Sequence, residues 1–224
     1  MTIPFRAGTL IFLLCLVPLM GAAVGVSRAA DSPLAALVQA QRGIDEANSD
    51  LFNAVVDVAS VVGRASDVLI VVFREQAVSG TGGMFGGDLG GGNIGALLAL
   101  AASAGGSGHI ALLRQLLITE MKNFVATGVN GGYFAGKPDP SVSPSRSSLA
   151  EALRKMPAGR REIVPGRVLS QQGGKSRMSA AFNEPEAGSL PLELIFERHK
   201  DGWRVVEIAN AKELFHEAAK RKRK

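Results

Sequence analysis

The sequence predicts an α+β domain: N-terminal helices packed on a C-terminal curved antiparallel sheet, a meander of about four strands, with a terminal helix. Three observations predict it. The stretch Leu190–Asn210 alternates apolar and polar residues on both sides of a turn, the period of a β-hairpin. The spacing of apolar residues changes from helical to alternating at Arg161. Ile110–Val125 carries an apolar stripe at helical spacing, a surface able to cover a sheet. Helices first and strands second is the order of an α+β fold.

The hairpin sets the frame. Leu192, Leu194 and Phe196 alternate with Glu193 and Glu197, and Trp203, Val205 and Glu207 alternate with Arg204, Val206 and Ile208. A two-residue Asp201-Gly202 turn and a three-residue Lys200-Asp201-Gly202 turn both fit. The two-residue form puts Trp203 and Val205 on the Phe196 face. The three-residue form pairs His199 with Trp203 and sets Leu192, Leu194, Phe196, Val206 and Ile208 on one face. Apolar clustering favours the three-residue form, which leaves Trp203 on a second, partly covered face.

Residues 1–29 read as a secretory signal peptide. Arg6 precedes the apolar core Thr9–Met20, and Ser27-Arg28-Ala29 is a small-x-small cleavage site before Ala30. The alternative is an uncleaved inner-membrane anchor over residues 7–26, which is just long enough to span a bilayer. A single α+β domain is expected over residues 30–219. Ser32-Pro33 starts a helix that runs to Gly43, and Asn48-Ser49-Asp50 starts a second, carrying Leu51, Phe52, Val55, Val56 and Ala59. Val68–Phe73 is expected as buried helix. Residues 79–108 hold twelve glycines around the apolar run Ile94–Ala104. Such glycine density is costly to order and marks an insertion. The sharper alternative is a membrane-touching or partner-binding loop using Met84, Phe85 and Leu97-Leu98-Leu100.

Ile110–Val125 buries Leu113, Leu116, Leu117, Met121 and Phe124, with Gly128 expected just past its end. Residues 137–147 form a Pro/Ser linker, and Ser148 with Glu151 is a capping box for a short helix. Strands follow at Arg161–Gln171, bulged at Pro165-Gly166, and at Lys175–Phe182, joined by Gly173-Gly174. Asn210 caps a terminal helix that buries Leu214 and Phe215. Residues 220–224 are a basic tail.

Composition narrows the chemistry. The only cysteine, Cys15, lies in the leader, so the mature chain has no thiol for a disulfide, a metal site or nucleophilic catalysis. The formal charge of +5 falls to +3 without residues 1–29, and much of that is the tail. A basic face for nucleic acid is not indicated. The tail offers weak contact with an anionic membrane surface, against its reading as a frayed terminus.

The stretch AQRGIDEANSDLFNAVVDVASVVGRASDVLI, the helix LLRQLLITEMKNFVATG and the ending LELIFERHKDGWRVVEIANAKELF together resemble nuclear-transport-factor-2-like domains found in bacterial exported proteins of unknown function. The resemblance covers Leu34–Ala219 apart from the glycine-rich segment. It implies a cone of helices closed by a curved sheet. Some relatives of that fold are isomerases or dehydratases with acid/base residues in the cone, and others are silent scaffolds or binding modules. No catalytic motif of those enzymes maps onto this chain, and fold alone licenses no activity.

Individual motifs are weak. Gly90–Gly95 fits a dinucleotide fingerprint in letters, but Gly86-Gly87-Asp88-Leu89 precedes it where a strand is needed. Gly173-Gly174-Lys175-Ser176 resembles the end of a phosphate-binding loop, but Leu169 stands where its first glycine belongs. His109, His199 and His216 have no zinc-ligand spacing. The only acid/base candidates are Asp57, Asp67 and Glu207. Inside an apolar cone any of them becomes a general base with a raised pKa; at a helix end or on the surface each is an ordinary carboxylate. No catalytic, cofactor-binding or metal residue is assigned, and no cofactor. The expected function is an exported, periplasmic or secreted, non-catalytic domain that binds a protein partner or a small apolar ligand. The alternatives are an isomerase- or dehydratase-type enzyme and a membrane-associated structural protein.

Overall fold

A computed structural model describes residues 30–78, 107–142, 153, 157–186 and 188–221. The leader, most of the glycine-rich segment, the capping box at Ser148 and the end of the basic tail lie outside them. Helices α1 (Pro33–Asp45), α2 (Ser49–Asn53), α3 (Val58–Val78) and α4 (Ser107–Asn130) come first. Strands β1 (Glu162–Gln172), β2 (Lys175–Glu184), β3 (Gly188–His199) and β4 (Gly202–Ile208) follow, then α5 (Ala211–Arg221). The strands form one antiparallel meander in the order β1-β2-β3-β4.

Local chemistry sets the helix starts. The Ser32 hydroxyl accepts the Ala35 N–H at 3.1 Å, with Pro33 in the first turn of α1. Asn48 Oδ1 accepts the N–H groups of Asp50 and Leu51, capping α2. The expected second helix is two helices. The chain breaks at Ala54–Asp57 because this segment pairs with the edge of β4. The Val205 N–H donates to the Val55 carbonyl and the Asp57 N–H donates to the Val205 carbonyl, each at 2.8 Å. Val68–Phe73 is helical as expected, with Leu69, Ile70 and Val72 buried.

Helix α4 runs through Gly128 instead of ending before it. The Phe134 ring lies where a side chain at 128 would stand: a Cβ there would sit 2.1 Å from the Phe134 Cζ. Glycine at 128 thus serves a close helix–ring approach, with Phe134 also tilted on Phe124 at 5.8 Å. Leu113, Leu117, Met121 and Phe124 are buried as expected, whereas Leu116 and its neighbour Leu112 are exposed.

Next to the turn the hairpin register differs from both expected forms, whereas from Ile195 on it is that of the three-residue form. His199 pairs with Gly202 across a Lys200-Asp201 turn, Arg198 with Trp203, and Phe196 with Val205; Ile195 pairs with Glu207 and Leu194 with Ile208. Val206 is therefore an inserted bulge residue. The reason is in the side chains. No regular register places Trp203, Val205 and Ile208 on one face, because 203 and 205 are out of phase with 208. One extra residue restores the phase, and all three are buried with Leu194 and Phe196. Trp203 belongs to the helix-facing side, not to a second face. The other face is polar and half-exposed, crossed by the ion pairs Arg177–Glu193 and Lys175–Glu197.

Gly173 and Gly174, at φ 56° and 78°, make the β1–β2 turn. Bulges lie between Pro165 and Val168 and between Val168 and Ser170. The Asn210 side chain does not cap α5. It accepts the Glu193 N–H and donates to the Pro191 carbonyl, tying the last turn to β3. Leu214 and Phe215 are buried as expected.

Candidate functional site

Among the described residues, the space between helices and sheet holds a cavity of about 10 Å³, lined only by apolar residues, among them Leu37, Phe52, Val61, Leu194, Val205 and Ile208. That is the threshold for a single water, and such a lining gives a water no partner.

None of the three candidate carboxylates lines it. Asp57 caps α3: Oδ1 accepts the Ser60 N–H at 3.0 Å and Oδ2 the Ser60 hydroxyl at 2.8 Å. Asp67 lies ten residues further along α3, roughly 15 Å at 1.5 Å per residue, and pairs with Arg114 of α4 at 3.3 Å on the surface. Glu207 pairs with Arg64 of α3, which also reaches Glu197 at 3.6 Å. The structure does not bring these three together, and each has a structural partner. His199 is exposed beside its turn, and half-exposed His216 lies 3.5 Å from Glu75. Among the described residues no group of three or more histidine, cysteine or acidic side chains is placed to hold a metal. No described helix is long and apolar enough to cross a membrane.

Two polar arrangements are present that the sequence did not suggest. Arg161, fully buried, is the first. Its guanidinium donates to the carbonyls of Gly159 and Pro157 at 3.1 Å and of Tyr133 at 3.4 Å, and approaches Glu184 at 3.5 Å. Burial lowers its pKa from the usual arginine range, opposed by Glu184. Nη1 and Nη2 donate to backbone carbonyls from three different positions, so the cluster joins loops. The second is Gln41. Its Oε1 accepts the Ile163 N–H at 2.7 Å and its Nε2 donates to the Arg161 carbonyl at 3.3 Å. One side-chain amide thereby occupies the outer edge of β1 as a residue of a parallel strand would.

Outside the core, a groove of about 430 Å³ runs between α1 and the start of β1, lined by Val38, Gln41, Arg42, Asp45, Glu46, Ile163 and Pro165. Its charges are already paired: Arg42 with Glu46 at 2.6 Å, and Asp45 with Arg160 at 2.7 Å. Arg160 holds the Asp45 carboxyl below the usual carboxylate range. No protein-family model, curated protein or solved structure matches this chain.

Proposed function

We propose that the chain is an exported, periplasmic or secreted, non-catalytic binding domain of the nuclear-transport-factor-2-like type, and that it engages a macromolecular partner with its outer surface. The observation that carries this reading is how little room the described helices and strands leave between them. A cavity of about 10 Å³ is far below the roughly 300–1,000 Å³ of small-molecule sites. The carboxylates that would serve an isomerase are committed to a helix cap and to ion pairs, which supports a structural role for each. The resemblance in sequence pattern supports the architecture and carries no activity.

The reading is tested by ligand titration followed through methyl resonances of Leu37, Leu194 and Ile208. A long-chain fatty acid and 1-anilinonaphthalene-8-sulfonate are suitable probes. The expected result is no saturable shift at these methyls. Stoichiometric binding that moves them would replace the partner reading with an internal ligand site.

A further inference from the structure

The β1–β2 and β3–β4 turns lie at the same end of the sheet. Gln172 pairs with Lys175, Lys175 with Glu197, and His199 with Gly202, and the Arg198 N–H donates to the Gly174 carbonyl at 2.8 Å. The carboxylates of this end are committed: Glu197 to Lys175 at 3.0 Å and to Arg64 at 3.6 Å, and Asp201 to Arg204 at 3.5 Å. Arg167, Arg198 and Lys200 are exposed, and no carboxylate of the described residues is left to pair with them. The opposite end of the sheet matches its arginines instead, Arg160 with Asp45 and Glu162, and Arg161 with Glu184. Strand β1 adds aliphatic surface. Regular alternation sends one of two neighbouring side chains to the core, but bulges on either side of Val168 break the alternation. Val168 and Leu169, next to Arg167, are 47% and 39% exposed.

We propose that this end of the sheet docks on the surface of an anionic phospholipid bilayer through Arg167, Arg198 and Lys200, with Val168 and Leu169 entering the headgroup boundary. Charge complementarity carries the proposal: three cations without counter-charge stand together on a body whose other described charges are largely paired. Their spacing selects a surface over a single anion. Arg167 bonds Ser179, which pairs with Glu193, five residues from Arg198 on β3. Two strand spacings across and five residues along put Arg167 and Arg198 roughly 20 Å apart, too far to hold one phosphate. The aliphatic pair selects lipid over nucleic acid, which favours aromatic side chains for stacking; the only Phe, Tyr or Trp at this end, Trp203, is buried. Each basic residue near an anionic bilayer strengthens partitioning about fivefold, so three supply roughly a hundredfold. Buried aliphatic surface adds to that at the headgroup boundary. The proposal goes beyond the partner reading above and draws on it only for the mature chain from Ala30.

Sedimentation of the mature chain with vesicles of phosphatidylcholine, alone or mixed with phosphatidylglycerol, tests this. Three variants are compared with the parent after circular dichroism confirms the same fold: Arg167→Gln, Arg198→Gln, Lys200→Gln; Val168→Ser, Leu169→Ser; and, with the same loss of charge in the basic tail, Lys220→Gln, Arg221→Gln, Lys222→Gln. The expected result is binding of the parent to the phosphatidylglycerol vesicles only, weakened by high salt. Binding should fall at least tenfold in the Arg167 triple variant and several-fold in the Val168 pair, and less in the tail variant than in the Arg167 triple variant. No binding of the parent to phosphatidylglycerol vesicles overturns the proposal and leaves the exported reading standing. A tail variant that loses as much as the Arg167 triple variant, or more, overturns it in favour of the tail or of net charge alone. A Val168 pair that binds like its parent, on a chain that holds heparin or a DNA duplex more tightly than the vesicles, overturns the lipid assignment in favour of a soluble polyanion.

Discussion

Trp203 packs on the helix-facing side of the sheet at 5% exposure, on the same face as Phe196 and Val205. Removing its ring leaves a cavity that flanking strands cannot close, at a cost of about 3–5 kcal/mol. A typical domain has only about 5–15 kcal/mol to lose. Trp203→Ala should therefore drop the thermal midpoint sharply, whereas His199→Ala, at an exposed strand end, should stay within about 0.5 kcal/mol. A Trp203→Ala chain that melts with its parent would remove the indole from the core. Arg161 is a different case. Arg161→Ala strands Glu184 and three carbonyls in the interior, and breaking such a pair costs about 3–5 kcal/mol. The double variant Arg161→Met, Glu184→Leu removes the stranded carboxylate and should recover part of that loss in urea denaturation. A double variant no more stable than Arg161→Ala would show that the carbonyl contacts, not the ion pair, dominate.

Both edges of the sheet are closed by the chain itself. Along β4, Trp203 and Val205 bond outward to Ala30, Val55 and Asp57. Along β1, the Gln41 amide takes the Ile163 N–H and the Arg161 carbonyl, and the next outward amide position is Pro165, which has no N–H to offer. Two bulges then twist the remaining length. These are the devices that stop edge-to-edge pairing. Gln41→Leu with Pro165→Val removes two of them and adds an apolar, β-branched residue beside exposed Val164 and Val168. The double variant should associate in a concentration-dependent manner by light scattering, while circular dichroism keeps the parent's helix and strand content. A variant that stays monomeric up to about 1 mM, in the range where exposed edges aggregate, would show that the bulges alone protect the edge. The helix break at Ala54–Asp57 belongs to the same arrangement. It was illegible in the sequence because Val55 and Val56 keep helical spacing, and only pairing with a strand 149 residues later, at Val205, calls for the break.

The architecture was legible because it rests on local periodicity: the alternation in β2 and β3, the stripe on α4, the Ser32-Pro33 start. The β4 register was not, because two incompatible phases of apolar residues are reconciled by a bulge, and that choice is made by the core. The candidate site was legible least. Asp57, Asp67 and Glu207 carry no signal that separates a cap or an ion pair from a base, and Arg161 looks like an ordinary charge before a strand. Surface charge nevertheless has a consequence for the whole molecule. Arg160 holds Asp45 low, Lys175 holds Glu197 low, and Lys212 holds Glu75 low. These pairs join α1 to the start of β1, β2 to β3, and α3 to α5. A carboxyl with a depressed pKa in the folded state stabilises that state fully above its unfolded pKa, about 4. That stabilisation is lost as pH falls through the lower folded value. The groups are largely exposed, so each contribution is small and screened by salt. The urea midpoint should stay level from about pH 7 to about pH 5, then decline below about pH 4, and the decline should shrink in high salt. Asp45→Asn should lower the midpoint at neutral pH and flatten part of the acid decline. A midpoint unchanged on acidification, or an Asp45→Asn decline as steep as the parent's, would show that these pairs form without stabilising the fold.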